Sequence, residues 1–141
     1  MSTVIRPVVS EKNRYRIPKH RYYELKHFCL QYHDWKQRYV ELMSTIGAES
    51  IKYNSTLSAN RIFVDRTAET AIELESLSRR ITMVEEIVQM ADKCLAKYIL
   101  KSVTEDVAFP KLSAYYEIPC GKDMFYDRRR KFFWLLHRAR D

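Results

Sequence analysis

Two glycines and four prolines in 141 residues leave this chain with almost no means of turning sharply. A sheet-rich domain needs such turn formers every few positions, so their scarcity points to long helices joined by few loops. At 46% hydrophobic residues the chain also has enough apolar side chains to cover an interior, and its length suits one compact unit.

The apolar spacing agrees. From Lys19 to about Ile46, the residues Tyr22, Leu25, Cys29, Tyr32, Trp35, Tyr39, Leu42 and Ile46 recur at steps of three and four, as one stripe of an α-helix does. Gly47 is the expected helix stop, and the polar stretch Ala48–Asn60 reads as a loop. A second stripe starts near Asp65 or Thr67 and ends near Val103. Leu74, Leu77, Ile81, Val84, Val88, Ala91, Leu95 and Tyr98 hold strict 3,4 alternation within it. This pattern serves either a helix packed on the first one or a coiled-coil seam between two copies of the chain, and packing within the chain is the simpler reading. Residues 1–18 hold Pro7 and Pro18 and no regular apolar spacing, and are expected to form an extended basic arm.

Charge is unevenly distributed. Residues 1–40 carry 9 basic and 3 acidic side chains, residues 41–107 carry 8 and 11, and residues 121–141 carry 7 and 3, within an overall formal charge of +7. An anionic partner would therefore be gripped by the two ends of the chain. Cys29, Cys94 and Cys120 form no CxxC pair and read as reduced thiols of a cytoplasmic protein. His27, Cys29 and His33 point in different directions on a helix, so no metal site is expected there. No phosphate loop, GxSxG, HExxH or paired carboxylates mark an enzyme, and the sequence calls for no cofactor. No run of apolar residues is long enough to span a membrane, and no secretory leader is evident.

The C-terminal third carries the most specific pattern. Pro110 suits the first turn of a short helix over Phe109–Tyr116, with Phe109, Leu112 and Tyr116 turned inward and Ile118-Pro119 ending it. After Cys120-Gly121, Asp123 is placed to cap a second helix with Phe125, Phe132, Phe133 and Leu136 on one side. Arg128, Arg129, Arg130 and Lys131 are consecutive, so they cannot all avoid that side, and either Arg128 or Arg129 must snorkel along it. A short helix, a tight turn and a basic second helix make a helix-turn-helix over residues 104–141, whose second helix would enter a major groove. Lys122, Tyr126, Arg128, Arg129, Arg130 and Lys131 are the candidate contacts to double-stranded DNA, with Arg14, Arg16, Lys19 and Arg21 adding phosphate contacts. The plainer reading of the cation run is a solvated face.

The segment from Leu95 to Arg138 resembles region 4 of sigma factors, and more closely the sigma-like phage and prophage late regulators of the ArpU/RinA type. Leu112, Ser113, Tyr116 and Ile118 match that family's first helix and turn, and Asp123 to Arg130 fall on its recognition helix. Glu117 departs from the usual turn glycine, and the Pro119–Asp123 stretch is longer. The resemblance implies a transcription regulator in a bacterial host, working with RNA polymerase. The rival readings are a DNA-packaging adaptor of the terminase small-subunit kind and a basic module that binds or inhibits an acidic protein.

Overall fold

The structure, a computed structural model, describes the backbone of residues 13–53 and 59–140 and the side chains of 13–47 and 66–140. Six helices account for nearly all of it: α1 (Lys19–Leu30), α2 (Tyr32–Tyr53), α3 (Ala59–Ala91), α4 (Ala96–Glu105), α5 (Phe109–Tyr115) and α6 (Lys122–Ala139). No strand occurs among the described residues. The all-α class is as the turn-former scarcity implies. The proposed arm over 1–12 and the middle of the proposed loop, 54–58, lie outside the described residues.

The single helix expected over 19–46 is in fact two. At the junction, the Gln31 side chain donates to the His27 carbonyl at 3.2 Å, while the Gln31 backbone N–H donates to the Phe28 carbonyl at 3.2 Å. A side chain that competes for the i−4 carbonyl weakens the ladder at that residue. Gly47 is no stop, because α2 continues through it to Tyr53, and the predicted loop is helical at both ends. A glycine inside a helix costs only about 1 kcal/mol, which the flanking residues outweigh.

The second long helix is also divided, at Asp92. Its carboxylate Oδ1 accepts the backbone N–H groups of Cys94 at 2.9 Å and Leu95 at 3.1 Å, which holds the turn that leads into the next helix. The expected Leu74–Tyr98 seam therefore runs over two helices. Val84, Val88, Ala91 and Leu95, its middle members, are buried within the chain, so they cannot also form the seam of a homodimer.

The chain forms two compact units, Tyr32–Thr82 and Met1–Gln31 with Met83–Asp141, and α3 contributes to both. In the larger unit α1, α4, α5, α6 and the end of α3 enclose Leu25, Cys29, Ile99, Val103, Leu112, Phe125, Phe132, Phe133 and Leu136. Tyr22 meets Phe133 edge-on at 5.0 Å, a geometry that aromatic rings favour. Helix α4 ends on Asp106, whose left-handed backbone (φ 54°) lets the Val107 N–H reach back to the Ser102 carbonyl at 3.1 Å. Tyr15 and Ile17 are buried too, so the described end of the supposed arm is anchored and not extended freely. In the smaller unit Tyr32, Trp35, Leu42 and Leu77 are buried. The aromatic stripe of Tyr22, Tyr32, Trp35 and Tyr39 is thus core, with Tyr39 half-buried.

Burial pushes the Cys29 thiol up to about 12, against the opposing influence of Arg129 and Arg140. Its folded value lies above the ordinary thiol value of 9.0, so the stability it confers is complete below pH 9 and is lost as pH rises from there toward 12. At pH 8, iodoacetamide is expected to label exposed Cys94 readily and Cys29 only after denaturation. Peptide mass mapping before and after urea checks this, and prompt labelling of Cys29 in the folded chain would contradict it.

Candidate nucleic-acid interface

Helix α6 is 18 residues long, about 27 Å at 1.5 Å per residue. Its first residue follows Gly121, which occupies the N-cap with an extended backbone, and no side chain caps it. The capping role expected of Asp123 is therefore not realised. Asp123 sits instead in the first turn, where its charge offsets the helix dipole. The turn before α6 is tight: the Ile118 N–H donates to the Tyr116 carbonyl and the Cys120 N–H to the Ile118 carbonyl, at 3.1 and 2.8 Å. Phe109 packs on Phe125 at 5.3 Å, joining α5 to α6. The inward turn of Leu112 agrees with its spacing, but Tyr116 is 42% exposed.

At 100° per residue, Phe125, Phe132, Phe133 and Leu136 fall on one arc of α6, and Arg129 falls within it. All five are buried. Of the two arginines that could snorkel, it is Arg129 that does so, with 2% exposure. Its Nε donates to the Ser102 hydroxyl at 3.1 Å and its guanidinium donates to the Tyr22 hydroxyl at 3.1 Å, while its plane lies 5.0 Å from the Phe133 ring centre. Ser102 in turn donates to the Val107 carbonyl at 2.6 Å. Arg129 thus fastens α6 to α1 and to the end of α4, and it is removed from the set of groups that could touch DNA.

Three other candidates are also committed within the chain. Arg128 pairs with Asp92 at 3.2 Å and Asp127 at 3.3 Å. The Tyr126 hydroxyl accepts the Phe109 backbone N–H at 3.1 Å, and its ring rests against Phe109 and Phe125. Arg21 donates to His137 Nδ1 at 2.9 Å and to its carbonyl at 3.3 Å, and pairs with Glu24. These corrections share one reason. Each side chain stands where a distant part of the chain supplies an acceptor or donor, and a charge or hydroxyl near a core is stable only when so paired.

Arg130, Lys131, Arg14, Arg16, Lys19 and Lys122 remain. Arg130 and Lys131 are half-buried and the other four are exposed. Lys122 stands at the opposite end of α6 from the rest. On the helical wheel Arg130, Lys131, Trp134 and Arg138 share an arc of about 100°, opposite the buried arc. The same arc carries Asp123 and Asp127 in its first half. The outer face of α6 is therefore acidic toward its N-terminus and basic toward its C-terminus, the distribution that also favours the helix dipole.

Tyr15 brings the N-terminal cations to this basic half. Its ring lies 5.7 Å from Trp134, with the Arg14 guanidinium 4.7 Å from the Tyr15 centre and the Arg138 guanidinium 4.7 Å from the Trp134 centre. Such stacking fixes long cationic side chains that would otherwise be freely rotating. Trp134 and Arg138 are absent from the residues singled out by sequence, although their i, i+4, i+8 spacing with Arg130 is a visible signal. The Tyr15 contact has no such signal.

No group of His, Cys, Asp and Glu side chains among the described residues is arranged to hold a metal ion. No helix among them is long and apolar enough to cross a membrane. No protein-family model matches the chain, no curated protein is similar to it, and no solved structure matches its fold.

Proposed function

We propose that this chain binds duplex DNA through the basic half of α6 and the anchored segment 13–19, and that it regulates transcription in the manner of the phage late regulators that residues 95–138 resemble. The observation that carries the binding proposal is the cationic-aromatic surface of Arg14, Arg16, Arg130, Lys131, Trp134 and Arg138. Tyr15 packed on Trp134 holds its two parts together. In this reading α5 and the tight turn support α6 as a helix-turn-helix does. The helix meets DNA with its C-terminal half, since Asp123 and Asp127 would repel phosphates at the other end.

Fluorescence anisotropy on a labelled duplex over a range of salt tests the proposal. The triple variant Arg16→Ala/Lys131→Ala/Arg138→Ala should make the slope of log affinity against log salt shallower by about 2.7, at about 0.9 for each phosphate that is no longer neutralised. Arg129→Met should leave the slope unchanged. An affinity that ignores salt, or a triple variant with the wild-type slope, would refute duplex binding by this face. A second reading rests on the bipolar charge of α6, since acidic and basic halves on one face also suit a protein partner carrying both signs. A co-purifying protein from the host, with no affinity for duplex DNA, would favour it.

A further inference from the structure

Helices α4 and α5 carry a second surface on which tyrosine rings and lysine amines alternate. The Lys97 ammonium lies 5.0 Å from the Tyr98 ring centre, and the Lys101 ammonium 5.9 Å from that of Tyr116. The two rings stand 5.9 Å apart, tilted by 54°. Both residues are tied to the backbone of α5 and its turn. The Tyr98 hydroxyl donates to the Glu117 carbonyl at 3.4 Å, and the Tyr116 N–H donates at 2.9 Å to the carbonyl of Leu112, which is fully buried. Lys111 and Tyr115 are four apart on α5 and share one side of that helix. Tyr115 is 77% and Tyr116 42% exposed, so a large aromatic area is left in water.

The needs of the fold do not account for this surface. A ring as exposed as that of Tyr115 adds little to the interior. Lys97 stands in the first turn of α4, where the helix dipole opposes a cation. Lys101 pairs with Glu105 at 3.3 Å, a surface contact weak enough for a phosphate to displace.

We propose that this surface binds an unpaired DNA strand, with bases stacked on Tyr115 and Tyr116 and phosphates held by Lys97, Lys101 and Lys111. Rings that hold bases and cations that follow the backbone are the two parts single-strand binding requires. The rings call for an unpaired strand, because inside a duplex each base is covered by its neighbours in the stack. Lys97 and Lys101 are about 6 Å apart along the α4 axis, so the amines form a row and not a single point charge. Lysine also decides against a protein partner, since it is depleted from protein interfaces. Within α4, α5 and the turn that follows, the exposed large apolar side chains are Tyr115 and Tyr116, with no aliphatic among them. The compact unit that carries this surface, residues 1–31 and 83–141, holds 18 basic and 11 acidic side chains, a field that draws an anionic chain. That the strand is DNA rests on the duplex-binding proposal, whereas its being unpaired rests on the rings. The two surfaces share no residue.

Fluorescence anisotropy of the full chain with labelled oligo(dT), and in parallel with oligo(U) and a duplex, tests the inference. Tyr115→Ala and Tyr116→Ala should each lower the affinity for oligo(dT) about tenfold, the size of one base-aromatic stack. Tyr115→Phe keeps the ring and should keep the affinity. Lys97→Ala/Lys101→Ala should make the salt slope shallower by about 1.4, at about 0.7 for each phosphate of a single strand. Duplex affinity and helical circular dichroism should stay at wild-type values in all of these variants. A wild type that ignores oligo(dT), or keeps its affinity without both rings, overturns the inference. So does a preference for oligo(U), which would assign the surface to RNA. Loss of oligo(dT) binding in Arg16→Ala/Lys131→Ala/Arg138→Ala, with the tyrosine variants unaffected, would overturn it too by placing the strand on α6. Duplex binding that fails while oligo(dT) binding holds refutes the duplex proposal and leaves this one standing.

Discussion

Arg129→Ala is expected to lower the free energy of unfolding by about 3 kcal/mol, through lost packing of the long side chain and lost hydrogen bonds in a closed site. The arginine is 2% exposed and bonded to two hydroxyls on two other helices. Truncating it opens a cavity between Tyr22, Ser102 and Phe133 and leaves the Tyr22 hydroxyl without its donor. Arg129→Met fills the same space without burying a charge, and replacing a buried ion by an apolar side chain of similar volume is often nearly neutral. It should therefore cost only about 1 kcal/mol. Urea unfolding followed by circular dichroism measures both. If the alanine variant unfolds at the wild-type midpoint while DNA affinity collapses, Arg129 faces outward and α6 does not pack as described.

The second large effect is expected at Asp92, where about 2 kcal/mol should be lost in Asp92→Ala. One carboxylate oxygen accepts two backbone N–H groups at the entry to α4, and removing such an acceptor costs about 1 kcal/mol. The other oxygen pairs with Arg128, and the Asp92 side chain is only 16% exposed, so this ion pair is screened less than a surface pair. Asp92→Asn keeps an acceptor for the backbone but gives up the charge, and should recover about half of the loss. Equal destabilisation by Asn and Ala would show that the ion pair alone matters. No effect from either would show that the α3–α4 junction is held by packing.

Much of α6 was legible from its spacing. Phe125, Phe132, Phe133 and Leu136 are buried as their period demands, and the crowding of four cations beside them correctly required one of Arg128 and Arg129 to turn inward. The core role of Tyr22, Tyr32 and Trp35 was legible in the same way. Helix ends were less so. Gly47 reads as a stop because glycine is a poor helix former, yet its modest cost is easily outweighed. Gln31 and Asp92 lie inside the two periodic stretches, yet a helix ends at each of them, where its side chain bonds the backbone.

The candidate site shows the same division. From its own sequence the chain determined that it is helical, which side of each long helix faces inward, and that the basic residues gather at its two ends. All of these follow from local geometry and composition. Only the tertiary structure decided which cations stay available to a partner. Arg129 finds Tyr22 across 107 positions and Arg21 finds His137 across 116, and both are withdrawn from the surface chemistry by those pairings. Tyr15 and Trp134, also far apart in the chain, bring Arg14 to Arg138. Helical periodicity relates residues three and four apart and carries no record of which distant side chain will meet a given charge. That depends on how the helices pack.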